Sequence, residues 1–308
     1  MKKYLLTIVI ILILLAGIYV SKIIFFSDNQ RETSNLENTK SDTEIGSRKD
    51  LQAINVELNN YFYNAVNQFQ DDKSKFQIKV SGMIVLHHDL AGRLVAEMFK
   101  KLQNFPNTPT KFIVLGPNHS NLGIAPAISA EVYWQTPLGR VEEDGKLLSQ
   151  LNNQGIIFDF DNFEKEYSVS AIIPFIKNYF PTATVAPIIF TSGESKEAAF
   201  DLAEKLADYI KENNAVLIAS IDFSHYLNNE SADIKDKQTL QAIESLDYDA
   251  ILKFNSDNLD SPAALVVFLR TMELLGIKRG EVMQHTNSAQ LLNNPELEST
   301  TSYFSMVY

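Results

Sequence analysis

Cysteine is absent from all 308 residues, which removes disulfides, thiolate metal ligands and cysteine nucleophiles together and leaves either redox compartment open. Basic clusters are missing as well. The chain has 27 Lys and Arg against 38 Asp and Glu, a net charge of −11. The first fifty residues hold seven basic and six acidic side chains, so residues 51–308 keep 20 and 32, a net charge of −12. A domain that acidic is a poor binder of nucleic acid, and no nucleic-acid partner is expected. No internal repeat and no second domain boundary interrupt those 258 residues, enough for one large domain with a substantial core.

Long apolar runs are confined to the start of the chain. Lys2 and Lys3 precede an uncharged run over residues 4–20, and Lys22 is followed by the apolar residues 23–26. At about 1.5 Å per helical residue, residues 4–26 span a bilayer core of about 30 Å, with Lys22 snorkelling to the interface. No Ala-x-Ala cleavage site follows, and Ala16-Gly17 lacks the cysteine of a lipoprotein signal. Residues 1–26 are therefore expected to be an uncleaved transmembrane anchor, single-pass, with the carboxyl-terminal domain outside the cytoplasm. Residues 27–50 are polar and charged and read as a disordered tether.

From residue 51 onward, apolar runs alternate with helical patterns. Leu90, Leu94, Met98, Phe99 and Leu102 fall at helical spacing. Residues 167–179 read as an amphipathic helix that Pro174 kinks or interrupts, and residues 184–190 as a strand whose Pro187 marks an edge or an irregularity. Ser195 caps a helix over 196–213, and Ser261-Pro262 starts another that runs to 275. The chain closes on strand-like stretches at 281–285 and 301–308. This alternation predicts a three-layer α/β/α sandwich around a mixed central sheet.

The chain has five histidines. Four of them lie at the ends of three buried-strand patterns, GMIVLHH (82–88), KFIVLGPNH (111–119) and AVLIASIDFSH (215–225). Ligands of open α/β sheets bind at the carboxyl ends of strands, so these ends predict one crevice with a metal or acid-base site. Alternation along a strand sends His87 and His88 to opposite faces, and His88, beside Asp89, is the expected ligand of the two. The Gly-Pro turn before His119 displays that imidazole, with Asn118 available to orient the ring or a ligand. Asp222 and His225 form a carboxylate–imidazole pair suited to moving a proton. No Gly-x-Ser-x-Gly elbow surrounds Ser224, which is read as a hydrogen-bonding residue. Glu166 is a further catalytic candidate, Asp260 a helix-capping residue or a third metal ligand, and His285 a structural histidine.

The ordered motifs HHDLAG (87–92), GPNHS (116–120), QTPLG (135–139), EYSVS (166–170), SIDFSHY (220–226), LDSP (259–262) and NSA (287–289) resemble the Memo family, whose bacterial and archaeal members are called AmmeMemoRadiSam system protein B. The resemblance implies a fold related to the LigB-type class III extradiol dioxygenases, which hold non-haem iron with two histidines and a carboxylate. Carried over motif by motif, it makes His88 and His119 the metal histidines and Asp222 with His225 the acid-base pair. Asp260 is then the expected third ligand, with Glu166 next. Tyr167 stands where family members often have histidine, and Asn258 near a cysteine of animal members. Fe(II) suits such a donor set, with Cu or Zn the alternatives. The resulting expectation is metal-dependent redox or dioxygenase-like chemistry on a small molecule, against the alternative of a non-catalytic module that binds a partner peptide or metal in the same crevice.

Overall fold

A computed structural model describes residues 51–308 apart from Ile124 and Gln154. Twelve strands form one sheet. They are β1 (Gln52–Asn55), β2 (Gly82–Val85), β3 (Lys111–Pro117), β4 (Ala127–Ser129), β5 (Val132–Thr136), β6 (Gly139–Glu143), β7 (Ile157–Phe158), β8 (Thr184–Phe190), β9 (Ala215–Ser220), β10 (His225–Leu227), β11 (Glu281–Asn287) and β12 (Thr300–Val307). The main order is β1-β5-β6-β8-β3-β9-β2-β12-β10, with β11 against β12 and β4 against β7 and β8. The centre, β8-β3-β9-β2, is wholly parallel, whereas β12 runs antiparallel to β2, β10 and β11. The expected mixed sheet is therefore present.

Alternation along the central strands sends side chains into two separate cores. On one face Val85, Phe112, Val114, Val185 and Ile218 pack with α1 (Asn60–Gln68), α2 (Gly92–Gln103) and α4 (Ile173–Tyr179). On the other, Ile84, Ile113, Leu115, Ile188 and Leu217 pack with α3 (Gly145–Asn153), α5 (Lys196–Asn213) and α7 (Pro262–Leu274). These are the three layers, and α6 (Asn229–Ser245) follows β10. The caps form as expected: Ser195 Oγ accepts from Ala198 N at 3.1 Å, and Ser261 Oγ from Ala264 N at 3.4 Å.

Two local expectations each resolve to one of their alternatives. Residues 167–179 form two helices, Tyr167–Ser170 and α4, because Pro174 sits in the first turn of the second, where its missing N–H goes unused. Pro187 lies in the interior of the sheet. It pairs with Val114 of β3 on one side, and on the other it falls between the stretch that pairs with β6 (184–185) and the stretch that pairs with β4 (189–190). Of the two expected alternatives, the irregularity, a gap in the pairing, accommodates the ring.

The expected membrane location needs correction. Among the described residues no helix is long and apolar enough to cross a membrane. The anchor at 1–26 and the tether at 27–50, on which that expectation rested, lie outside the described residues.

Candidate metal centre at the strand ends

The parallel strands β2, β3 and β9 finish side by side, and the residues just beyond them meet the loop before α7. Val85 pairs with Ser220, and the Ile221 N–H continues to the Val85 carbonyl. The segment after β9 also binds the loop before α7, with Phe223 bridging Leu259 and Asp260 N–H donating to the Asp222 carbonyl at 3.1 Å. The Asp222 N–H in turn donates to Asp260 Oδ2 at 3.1 Å. Ser261 caps α7, so Asp260 is released from that task and faces the strand ends instead.

Two triads of potential ligand atoms result, each within 4.8 Å: His87, His119 and Asp260, and Asp222, His225 and Asp260. His87 Nε2 lies 3.3 Å from Asp260 Oδ2 and 3.8 Å from Asp222 Oδ2. His119 Nε2 lies 3.9 Å from the same Asp260 oxygen. Asp260 Oδ1 is buried without a hydrogen-bond partner, and so is His225 Nδ1.

His87, not His88, belongs to this cluster. Both side chains line the first cleft, but His87 is the one in the donor cluster; alternation could not choose between them, because β2 ends at Val85 and both Val85 and Leu86 enter the same core. Beyond that point the backbone follows Asp222, whose Oδ1 accepts the His87 N–H at 3.1 Å. The His87 ring is buried, with Nδ1 3.2 Å from Ser220 Oγ. Burial pulls its pKa down, but Asp222, Asp260 and Glu166 outweigh that and raise it to about 9. His88 is exposed, and its Nδ1 meets the Tyr303 hydroxyl at 2.5 Å.

Glu166 holds His119. Its Oε2 accepts the His119 N–H at 2.7 Å, and its Oε1 lies 2.8 Å from His119 Nδ1 and accepts the Ser168 N–H at 2.8 Å. Burial opposes ionisation of Glu166, but the bonds from His119 and Ser168 prevail and hold its pKa below the ordinary carboxylate value. With both oxygens engaged, Glu166 is a positioning residue and not a free third ligand. A proton on Nδ1, held by the carboxylate, leaves Nε2 bare toward Asp260. Asn118 does not orient the ring: its amide donates to the Leu122 carbonyl and its oxygen accepts from Ser120, closing its own loop.

Tyr167 opens the one-turn helix that Glu166 caps, and its ring lies face to face with that of His119, centroids 4.4 Å apart at 12°. Gly116 lets the turn pack closely on β3, because a Cβ there would sit 2.5 Å from Ser168 Oγ. Burial, then the charges of Asp222, Glu166 and Asp260, push the Tyr167 phenol up to about 12.

Asp222 does not orient His225 by a direct bond. Its Oδ1 serves the His87 backbone, while His225 is tied through its own N–H to the Ser256 carbonyl at 2.9 Å. Ser224 hydrogen-bonds as expected, to Asp236 and Ser302. Two clefts adjoin the cluster. One of about 520 Å³ is lined by His87, His88, Tyr167 and Asp222, and one of about 420 Å³ by His119, His225, Tyr226 and Asp260. Sequence reasoning missed Ser220 and Tyr303, since an interior strand serine and a late aromatic carry no ligand signal of their own.

Comparison with known proteins agrees with the motif reading. The family model described as Memo-like protein matches residues 48–307. A MEMO1 family protein of Pyrobaculum aerophilum is 28% identical over 226 residues, covering 71% of this chain and 79% of the relative. One of Aquifex aeolicus is 27% identical over 76% of this chain and 88% of its own length, and one of Pyrobaculum arsenaticum is 30% identical over 75% and 84%. Among solved structures, an uncharacterized protein of Escherichia coli K12 aligns at a TM-score of 0.46 with 11% identity, over 73% of this chain and 99% of that one.

Proposed function

The chain belongs to the Memo-like protein family, and from that membership and the donor cluster at the strand ends we propose that the domain holds one metal ion for redox or oxygen chemistry on a small molecule. Nε2 of His87, Nε2 of His119 and a carboxylate oxygen of Asp260 would hold it. Two imidazoles and one carboxylate suit Fe(II), with Cu or Zn the alternatives. When bound, any of these ions would supply a Lewis acid, and iron or copper a redox centre as well.

The observation that carries the reading is the convergence of two imidazole nitrogens on Oδ2 of Asp260, a carboxylate whose other oxygen, Oδ1, is buried without a partner. A buried carboxylate oxygen left without a partner costs about 1–3 kcal/mol or more, and a cation removes that cost. The donor separations of 3.3 and 3.9 Å also fit ligands that each lie about 2.0–2.2 Å from a shared ion.

The protein's own groups do the rest. Glu166 fixes the tautomer of His119, and Asp222 fixes the backbone of His87. His225, half-buried and lining the second cleft, is the group suited to accept or deliver a proton to a small molecule there. The clefts would admit that molecule from either side of the cluster.

The test is metal quantification on the full chain purified under low oxygen, beside His87→Ala and His119→Ala. Near-stoichiometric iron or copper that disappears in the folded variants is the expected result. Protein that arrives metal-free and fails to take up Fe(II), Cu or Zn would overturn the reading.

A further inference from the structure

We propose that Tyr167 is a fourth protein donor to the metal ion, bound through its deprotonated phenolic oxygen. The inference rests on the metal reading above and deepens it.

The Tyr167 hydroxyl lies 3.2 Å from His119 Nε2, the nitrogen assigned to the ion. That separation matches the 3.3 Å between His87 Nε2 and Asp260 Oδ2, a pair already assigned to one ion. The rings of Tyr167 and His119 are stacked, 4.4 Å apart at 12°, so their polar ends stand side by side, as two neighbouring ligands of one ion do. The Tyr167 ring also meets the His87 ring edge-on at 5.5 Å. The phenol therefore touches both imidazoles of the set.

The same carboxylate places both donors. Glu166 grips His119 through the backbone and Nδ1 and caps the turn that carries Tyr167 through the Ser168 N–H. A loop independent of the cluster would not keep the two rings in register, whereas this turn is tied to the end of β3 again by Ser168 Oγ donating to the Pro117 carbonyl at 3.0 Å.

In the metal-free arrangement the phenol donates to the bare Nε2 of His119. When an ion takes that lone pair, the O–H has no acceptor there. The O–H bond breaks, an oxygen–metal bond forms, and the proton leaves to water, which reaches this residue because it is 54% exposed. A phenolate adds negative charge to a set that already includes Asp260, and so favours the trivalent over the divalent state of a bound iron.

The experiment loads the full-length protein with one equivalent of Fe(II), removes the excess, oxidises the bound iron to Fe(III), and records visible absorption and resonance Raman spectra. A phenolate-to-iron charge-transfer band with phenolate ring modes is expected in the parent protein and in Tyr226→Phe. In Tyr167→Phe and Tyr167→His the band is expected to vanish while iron stays bound, with circular dichroism confirming the fold. Bound iron without the band in the parent, or a band that survives in Tyr167→Phe, overturns the phenolate assignment and leaves the metal reading standing. Absence of bound iron in the parent overturns the phenolate assignment, and failure to take up Cu or Zn as well overturns both.

Discussion

Two imidazole–carboxylate pairs occur in this domain with nearly the same bond, and only one belongs to the candidate site. His119 Nδ1 lies 2.8 Å from Glu166, and His285 Nε2 lies 2.7 Å from the fully buried Asp236. They differ in what surrounds them. The free nitrogen of His119 meets Asp260 and Tyr167 at an opening between two clefts. The His285 ring lies flat on Phe304, 4.0 Å away at 7°, and Asp236 passes its second oxygen to Ser224, which also binds Ser302. A carboxylate behind a histidine is thus a clamp in both places, and convergence of further donors from other strands is what separates a ligand from a brace.

The largest effect that would break this contrast is on metal content. His119→Ala is expected to abolish stoichiometric metal, while His285→Ala leaves it in place; elemental analysis of both folded variants checks this, and equal loss in the two would erase the distinction. On stability the ranking reverses. Asp236→Ala removes the carboxylate that joins α6 to β11 and to Ser224, and denaturant unfolding should show a loss of about 1–3 kcal/mol with metal stoichiometry unchanged. Glu166→Gln sharpens the comparison from the other side. The amide keeps the shape but cannot accept from every partner that the carboxylate serves, so metal affinity should fall by about 10–100-fold in a competition titration.

How much of this could be read before the structure divides along the same line. The three strand ends were legible because an apolar run closing on a histidine marks both a buried strand and the polar group it delivers to the sheet's end, and the motif order named the family. Asp260 was legible only as a choice between cap and ligand; Ser261 makes the cap, which leaves Asp260 facing the strand ends. His87 against His88 was not legible. Strand parity holds only inside a strand, and β2 stops two residues early, where a side chain 135 positions away, Asp222, takes over the backbone. The role of Glu166 was hidden for a similar reason, since a glutamate at a helix start reads as a solvated cap until its partner from β3 is seen. Such long-range pairings leave no periodic trace in the chain.

The smallest expected effect is a pH dependence that tests His87 alone. In protein stripped of metal, the surrounding carboxylates raise the His87 pKa above its ordinary 6.5 to about 9. A group whose folded pKa is raised stabilises the fold fully below its unfolded pKa, so this contribution is complete below about 6.5. It declines as pH rises and is gone above about 9, a change on the order of 1–3 kcal/mol in urea unfolding. Metal binding runs the opposite way, because the ion must displace the proton from His87. The proton released from His87 should therefore contribute about a tenfold climb in apparent affinity per pH unit across the same window, beside the proton that the Tyr167 phenol releases. His87→Gln should flatten the His87 part of both profiles, while His88→Gln should leave them unchanged. A slope that follows His88 instead would return the ligand role to the exposed member of the pair, and would mean that the Asp222 tie to the His87 backbone serves the fold alone.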